Sequence, residues 1–174
     1  PVRPPLGVLW NMAGYFTILT NAAIVVVMTA VALGARAGRR LSGALTLAIV
    51  VVGVVYHLLL AHLWQPEGLA WLADQGLHSA VPALTFWWWL RHAPKAGLVA
   101  ADVLWWLVWP GAYAAYALLR GALTGFWPYP FLDVARLGAP GVGVNLAGLL
   151  VALGLFGLGM VMLGRRIGDR AGAR

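Results

Sequence analysis

The sequence predicts an all-α integral membrane protein, a single domain over residues 1–174 folded as a bundle of five transmembrane helices, and three observations lead there. Of the 174 residues, 62% are hydrophobic and only 10% are charged, with ten tryptophans, a balance that a water-soluble domain of this size does not need. Five apolar runs approach the roughly 20 residues that a ~30 Å hydrocarbon core requires. The basic residues gather in short clusters between the runs, so the net charge of +7 reads as membrane topology and not as a nucleic-acid footprint. Cysteine is absent, which excludes disulfides, a thiolate nucleophile and thiolate metal ligands.

The expected spans lie near Asn11 to Leu33, Leu41 to Trp64, Leu69 to Leu90, Gly97 to Leu119 and Gly141 to Leu163. The third is the least apolar, because Asp74, Gln75 and His78 fall in its first half. Arg36, Arg39 and Arg40 follow the first span, Arg91 and Lys95 the third, and Arg165, Arg166, Arg170 and Arg174 the fifth. All of these fall on one side. The other side carries Arg3, Arg120 and Arg136 balanced by Glu67, Asp74 and Asp133, so the positive-inside rule places the C-terminus in the cytoplasm and Pro1 outside. Trp10, Trp64, Trp71 and Trp127 then mark the outer interfacial belt, and Trp87, Trp88 and Trp89 the inner one.

With this topology the polar residues acquire depths. Thr17 is expected six residues inside the first span, on the order of 9 Å deep at ~1.5 Å rise per residue. His78 and His57 are expected at a similar level, and His62, Tyr113, Tyr116 and the loop GFWPYPFLD, which contains Tyr129, also belong to the outer half. Thr17, Thr20 and Asn21 share an arc of about 100° on their helix, a polar stripe turned toward other helices. Such a stripe serves either as hydrogen-bonding glue between helices or as part of a site. His78 has the same two readings, a satisfied buried imidazole or a functional one, since an ionisable group inside a membrane is costly. Asp74 lies one turn away and is placed to accept a hydrogen bond from one ring nitrogen. Pro82 cannot donate to the carbonyl of His78, so a kink is expected beside the ring.

Other constellations are weaker. His57 and His62 stand about 140° apart around a helix and cannot share a ligand face. Asp102 is expected to pair with Lys95 or another inner-loop cation. Ser42 and Ser79 are the sole serines, Ser42 is on the wrong side, and Ser79 is rotated by about 100° from its neighbour His78. GAPGVGVNLAG, Gly138 to Gly148, opens an apolar helix with no strand before it, so its small residues point to close helix packing and not to a phosphate cradle. No metalloprotease motif, phosphate-binding loop or dinucleotide fingerprint occurs.

Three stretches, YFTILTN in the first span, DQGLHSAVP in the third and GFWPYPFLD after the fourth, resemble in order and spacing the androgen-induced and androgen-dependent tissue-factor-pathway-inhibitor-regulating proteins and their bacterial branch. The resemblance implies a six-helix transmembrane hydrolase that cleaves fatty acid esters of hydroxy fatty acids, with Thr17 as nucleophile and His78 as its partner. It also implies a further helix ahead of Pro1 and a bacterial inner membrane. The animal proteins carry an acidic residue at the place of Thr20 and a histidine at the place of Gln75, so the surroundings of the pair differ.

The expected chemistry is ester hydrolysis through an acyl intermediate on the outer-leaflet side, with His78 as base, Asp74 orienting it and Thr20, Asn21, Tyr113 or Tyr116 as candidate oxyanion donors. His57 and Tyr129 are candidate pocket residues. The expected partner is a lipid or fatty-acyl ester within membrane lipid, with no cofactor and no metal. Two readings from other classes stand beside it: a haem or metal redox protein using His57, His62 and His78, and a lipid-binding protein without chemistry.

Overall fold

The computed structural model describes residues 4–172 and is helical, with no strand among the described residues. The elements are α1 Pro5–Met12, α2 Phe16–Ala32, α3 Arg39–Val55, α4 Gly68–Gln75, α5 Val81–His92, α6 Asp102–Trp106, α7 Val108–Thr124 and α8 Val134–Gly172. Two helical stretches, Arg39–Leu63 and Val134–Gly168, are long and apolar enough to cross a membrane, and α1 with α2 makes a third if the bent pair is one span. The tracts around α4–α5 and α6–α7 fall short of that measure: polar residues dilute the first, and α7 alone has 17 residues. Arg3 and Arg174, which entered the orientation argument, lie outside the described residues.

The surface is apolar where a soluble protein would be polar. Val25, Val26, Leu58, Leu104, Leu119 and Leu155 are all exposed, an arrangement stable only against hydrocarbon or a partner.

Two departures from helical regularity shape the site, and a third, at Gly138 with φ 69°, kinks α8 near its start. The first expected span is not one helix: α1 and α2 meet at 95°, because the chain turns at Ala13–Tyr15. A Cβ on Gly14 would lie 2.6 Å from the Phe126 ring and 2.7 Å from Arg120, so only glycine fits in that corner. Thr17 consequently sits in the first turn of α2, and counting rise from Asn11 misplaces it. The second departure is a pair of π-helical turns, Tyr56–Leu60 continuing α3 and Gly76–Ala80 joining α4 to α5. Pro82 withholds a donor from the helix just after the second, so the expected kink is taken up as a widened turn.

Three packed clusters hold the bundle. One, toward the Arg39 and Arg165 end, gathers Leu47, Trp89, Leu98, Val103, Trp106 and Met160 from α3, α5, α6, α8 and the loop before α6. A second joins Ile24 of α2 to Leu45, Ile49 and Val52 of α3. The third, at the opposite end, joins Tyr113 and Ala117 of α7 to Leu132 and Val142. Glycine permits the tightest of these approaches: a Cβ on Gly43 would lie 2.2 Å from the Trp106 ring.

Candidate active site

Thr17, His78, Asp74 and Tyr56 meet between α2, α3 and the π turn of Gly76–Ala80. Thr17 Oγ1 is 3.3 Å from His78 Nε2, at the long end of hydrogen-bond reach, as resting catalytic pairs often are. On the other side of the ring, Nδ1 is 3.0 Å from the Asp74 carbonyl and 3.2 Å from Asp74 Oδ1. Both are acceptors, so Nδ1 carries the proton. The Nε2 lone pair is therefore turned toward the Thr17 hydroxyl, the polarity a general base needs.

The surroundings hold this alignment. Tyr56 donates its hydroxyl to Asp74 Oδ2 and stacks its ring on His78 with centroids 3.9 Å apart and planes at 17°. Asn21 Nδ2 donates to the Thr17 carbonyl at 2.8 Å and to the Leu77 carbonyl at 3.4 Å, which ties α2 to the π turn that carries His78. A Cβ on Gly53 would stand 3.0 Å from the His78 carbonyl oxygen and 3.3 Å from Pro82, so glycine on α3 lets that turn come close.

The remaining sequence candidates are brought near but bonded elsewhere. Thr20 is fully buried and its Oγ1 accepts from Trp109 Nε1 at 3.0 Å. Tyr113 and Tyr116 donate to the carbonyls of Gly14 at 2.8 Å and Ala13 at 3.2 Å, pinning the α1–α2 corner. Tyr129 does more than line a pocket: its hydroxyl accepts from the Phe16 N–H at 3.0 Å, capping α2, and lies against the side chain and amide of Thr17. It sits outside the long helices, and burial raises its phenol above the usual tyrosine value, so it stays protonated.

His57 belongs to a separate pair that the sequence did not reveal. Its Nε2 is 2.9 Å from Ser79 Oγ, and Ser79 donates to Gln75 Oε1 at 2.7 Å. The serine proton points to the amide oxygen, so this pair has the wrong polarity for a nucleophile and its base. The two partners sit on different π turns, a proximity that no spacing along one helix encodes. Among the described residues no group of three His, Asp or Glu side chains is placed to hold a metal ion.

Thr17 opens into a cavity of about 260 Å³ between α2, α3, α7 and α8. Apart from Thr17 and the rings of Tyr56, Tyr113 and Tyr129 its walls are apolar, including Val52, Ala114, Leu149 and Leu153. The size exceeds the ~150 Å³ of an apolar cavity known to take up benzene, and it is ample for a hydrocarbon chain. A hydroxyl paired with an imidazole thus faces a space that favours alkyl groups.

Of the cations expected to pair with Asp102, the structure selects inner-loop arginines and not Lys95. Asp102 is fully buried and accepts from Arg40 Nε at 2.8 Å, Arg39 Nε at 3.2 Å and the Val99 N–H at 3.0 Å. Lys95 instead donates to the carbonyls of Trp89 and Ala93. Two guanidinium groups from the start of α3 reach the carboxylate, and the lysine is held back by its own loop. Comparison of the chain with family models, with characterised proteins and with solved structures yields no match.

Proposed function

We propose that this chain is a membrane-embedded hydrolase of lipid esters, crossing the bilayer five times with its C-terminus in the cytoplasm and its site toward the outer leaflet of a bacterial inner membrane. The observation that carries the reading is the placement of His78: two Asp74 acceptors lie against Nδ1, which argues for a proton there and a Nε2 lone pair toward Thr17 Oγ1, beside an apolar cavity. Helix glue requires neither the cavity nor that polarity.

Thr17 Oγ attacks the ester carbonyl carbon while its proton passes to His78 Nε2, and Asp74 stabilises the resulting imidazolium. The carbonyl oxygen becomes an oxyanion beside the Tyr129 hydroxyl, near the N-terminus of α2, whose dipole favours negative charge. Collapse expels the alkoxide, which takes the proton from His78, and leaves the acyl group esterified to Thr17. Water then attacks that ester with His78 again as base, and release of the fatty acid restores the Thr17 hydroxyl. The acyl chain occupies the cavity. The substrate class is a lipid ester such as a fatty acid ester of a hydroxy fatty acid.

The test is turnover of a panel of lipid esters by the purified chain in vesicles. Hydrolysis by the unaltered chain that falls by about 10⁴-fold or more in Thr17→Val and His78→Gln, with melting temperature retained, supports the assignment. Hydrolysis that survives both substitutions overturns it.

A further inference from the structure

The walls of the cavity are not equally closed. Near the Arg165 end α8 packs on α6, where a Cβ on Gly157 would lie 2.9 Å from Val103 Cγ1. At the opposite end α8 is tied to the turn Pro130–Leu132, since Asn145 Nδ2 donates to the Phe131 carbonyl at 3.0 Å and Val142 packs with Leu132. Between these two seams the cavity is lined from both α7 and α8. Pro110, Gly111 and Ala114 line it from α7, and Leu149 and Leu150 from α8. Two of these lining residues are also highly accessible: Leu150 is 55% exposed, and Gly111 is exposed with no atom within 4 Å of where its Cβ would be.

We propose that this gap is a lateral portal through which the acyl chain of a bilayer lipid enters the cavity beneath Thr17. The occupant follows from the chemistry. The lips are glycine and leucine, the interior is apolar, and Leu104 of α6, Leu119 of α7 and Leu155 of α8 are exposed leucine. Nothing at the lips offers an entering polar headgroup a hydrogen bond. An alkyl chain moving from hydrocarbon to cavity exchanges one apolar surrounding for another, so entry needs no desolvation of polar groups. The placement rests on the membrane reading above, and its purpose on the hydrolase reading, but entry itself is independent of turnover.

The full chain is reconstituted in phosphatidylcholine vesicles containing a phosphatidylcholine with a photoactivatable diazirine on one acyl chain, and cross-linked residues are mapped by mass spectrometry. Val52 and Leu153 line the cavity yet are only 5% and 7% exposed, so lipid reaches them only from within it. Ile49 is fully buried and outside the cavity lining and serves as the blank, and exposed Leu104 is the positive control. Cross-links at Val52 and Leu153 are expected in the unaltered chain. They should fall about tenfold in Gly111→Trp or Leu150→Trp, the equivalent of ~1.4 kcal/mol, while those at Leu104 persist. A chain cross-linked at Leu104 but not at Val52 or Leu153 overturns the portal, as does cavity labelling that both tryptophan variants leave unchanged. The outcomes are separable from the hydrolase reading: cavity labelling with no ester turnover leaves the portal standing, and turnover of long-chain esters without cavity labelling leaves the hydrolase standing.

Discussion

Asp74 and Asp102 are both buried carboxylates, at opposite ends of the bundle, and they are used in opposite ways. Asp102 accepts from two arginines and a backbone N–H, and all these partners are donors. It fastens the start of α3 to the loop before α6. Around it, Lys95 spends its ammonium on two carbonyls, and burial draws it below the ordinary lysine value. Asp74 has no arginine or lysine. Its partners are a phenol and an imidazole, and the imidazole in turn lies against a hydroxyl that lines an apolar cavity. The regular helix start at Arg39 suits a clamp, whereas two π turns re-aim side chains at the other end. A buried charge saturated by counter-charges holds structure; under the proposed function, the buried acid beside a proton acceptor serves chemistry.

Exchanging each carboxylate for its amide is the strongest way to break that contrast. Asp74→Asn should lower kcat about 10²- to 10⁴-fold, because the imidazole loses the group that fixes its tautomer and stabilises its charge, with melting temperature little changed. Asp102→Asn should do the reverse: a loss of about 2 kcal/mol in stability, moderated because both arginines reach solvent, and an unchanged kcat per folded molecule. Kinetics and thermal melts on the two variants separate the roles, and a shared phenotype would dissolve the distinction.

Tyr129→Phe sharpens the site end. It removes the hydroxyl beside Thr17 while keeping the ring packed on Phe131, and kcat should fall about 10²-fold with KM nearly unchanged. An equal rise in KM would make the tyrosine a substrate contact and not an oxyanion donor. Gly53→Ala is the mildest change. Its methyl presses on the His78 carbonyl at 3.0 Å, and a displacement of a few tenths of an ångström at the ring should cost about tenfold in kcat, against little effect from Gly148→Ala, where no atom lies within 4 Å.

The sequence made parts of this site legible and hid others for physical reasons. Thr17 and His78 stood out because polar groups in apolar runs are costly, and Asp74 followed from the one-turn spacing to His78. Tyr56 and Tyr129 were not assigned their bonds, since each reaches its partner across the fold from a residue type common at membrane interfaces. Pro82 signalled an irregularity but not its form, as a missing donor is compatible with either a kink or a widened turn. The α1–α2 corner reads as continuous helix because hydropathy does not register a bend: Asn11 to Leu33 carries no charge and is apolar on average, and the turn is stabilised by Tyr113 and Tyr116 from α7. The pairing of Asp102 was legible only as to kind, because Arg39, Arg40 and Lys95 all fall on its side and geometry alone selects two of them.

Covalent labelling with a fluorophosphonate followed by peptide mapping tests the central claim most directly, because it asks which hydroxyl is activated. The account predicts a single phosphonylated residue, Thr17, with labelling lost in His78→Gln and retained in His57→Gln. Phosphonylation of Ser79, dependent on His57 and indifferent to His78, would contradict it.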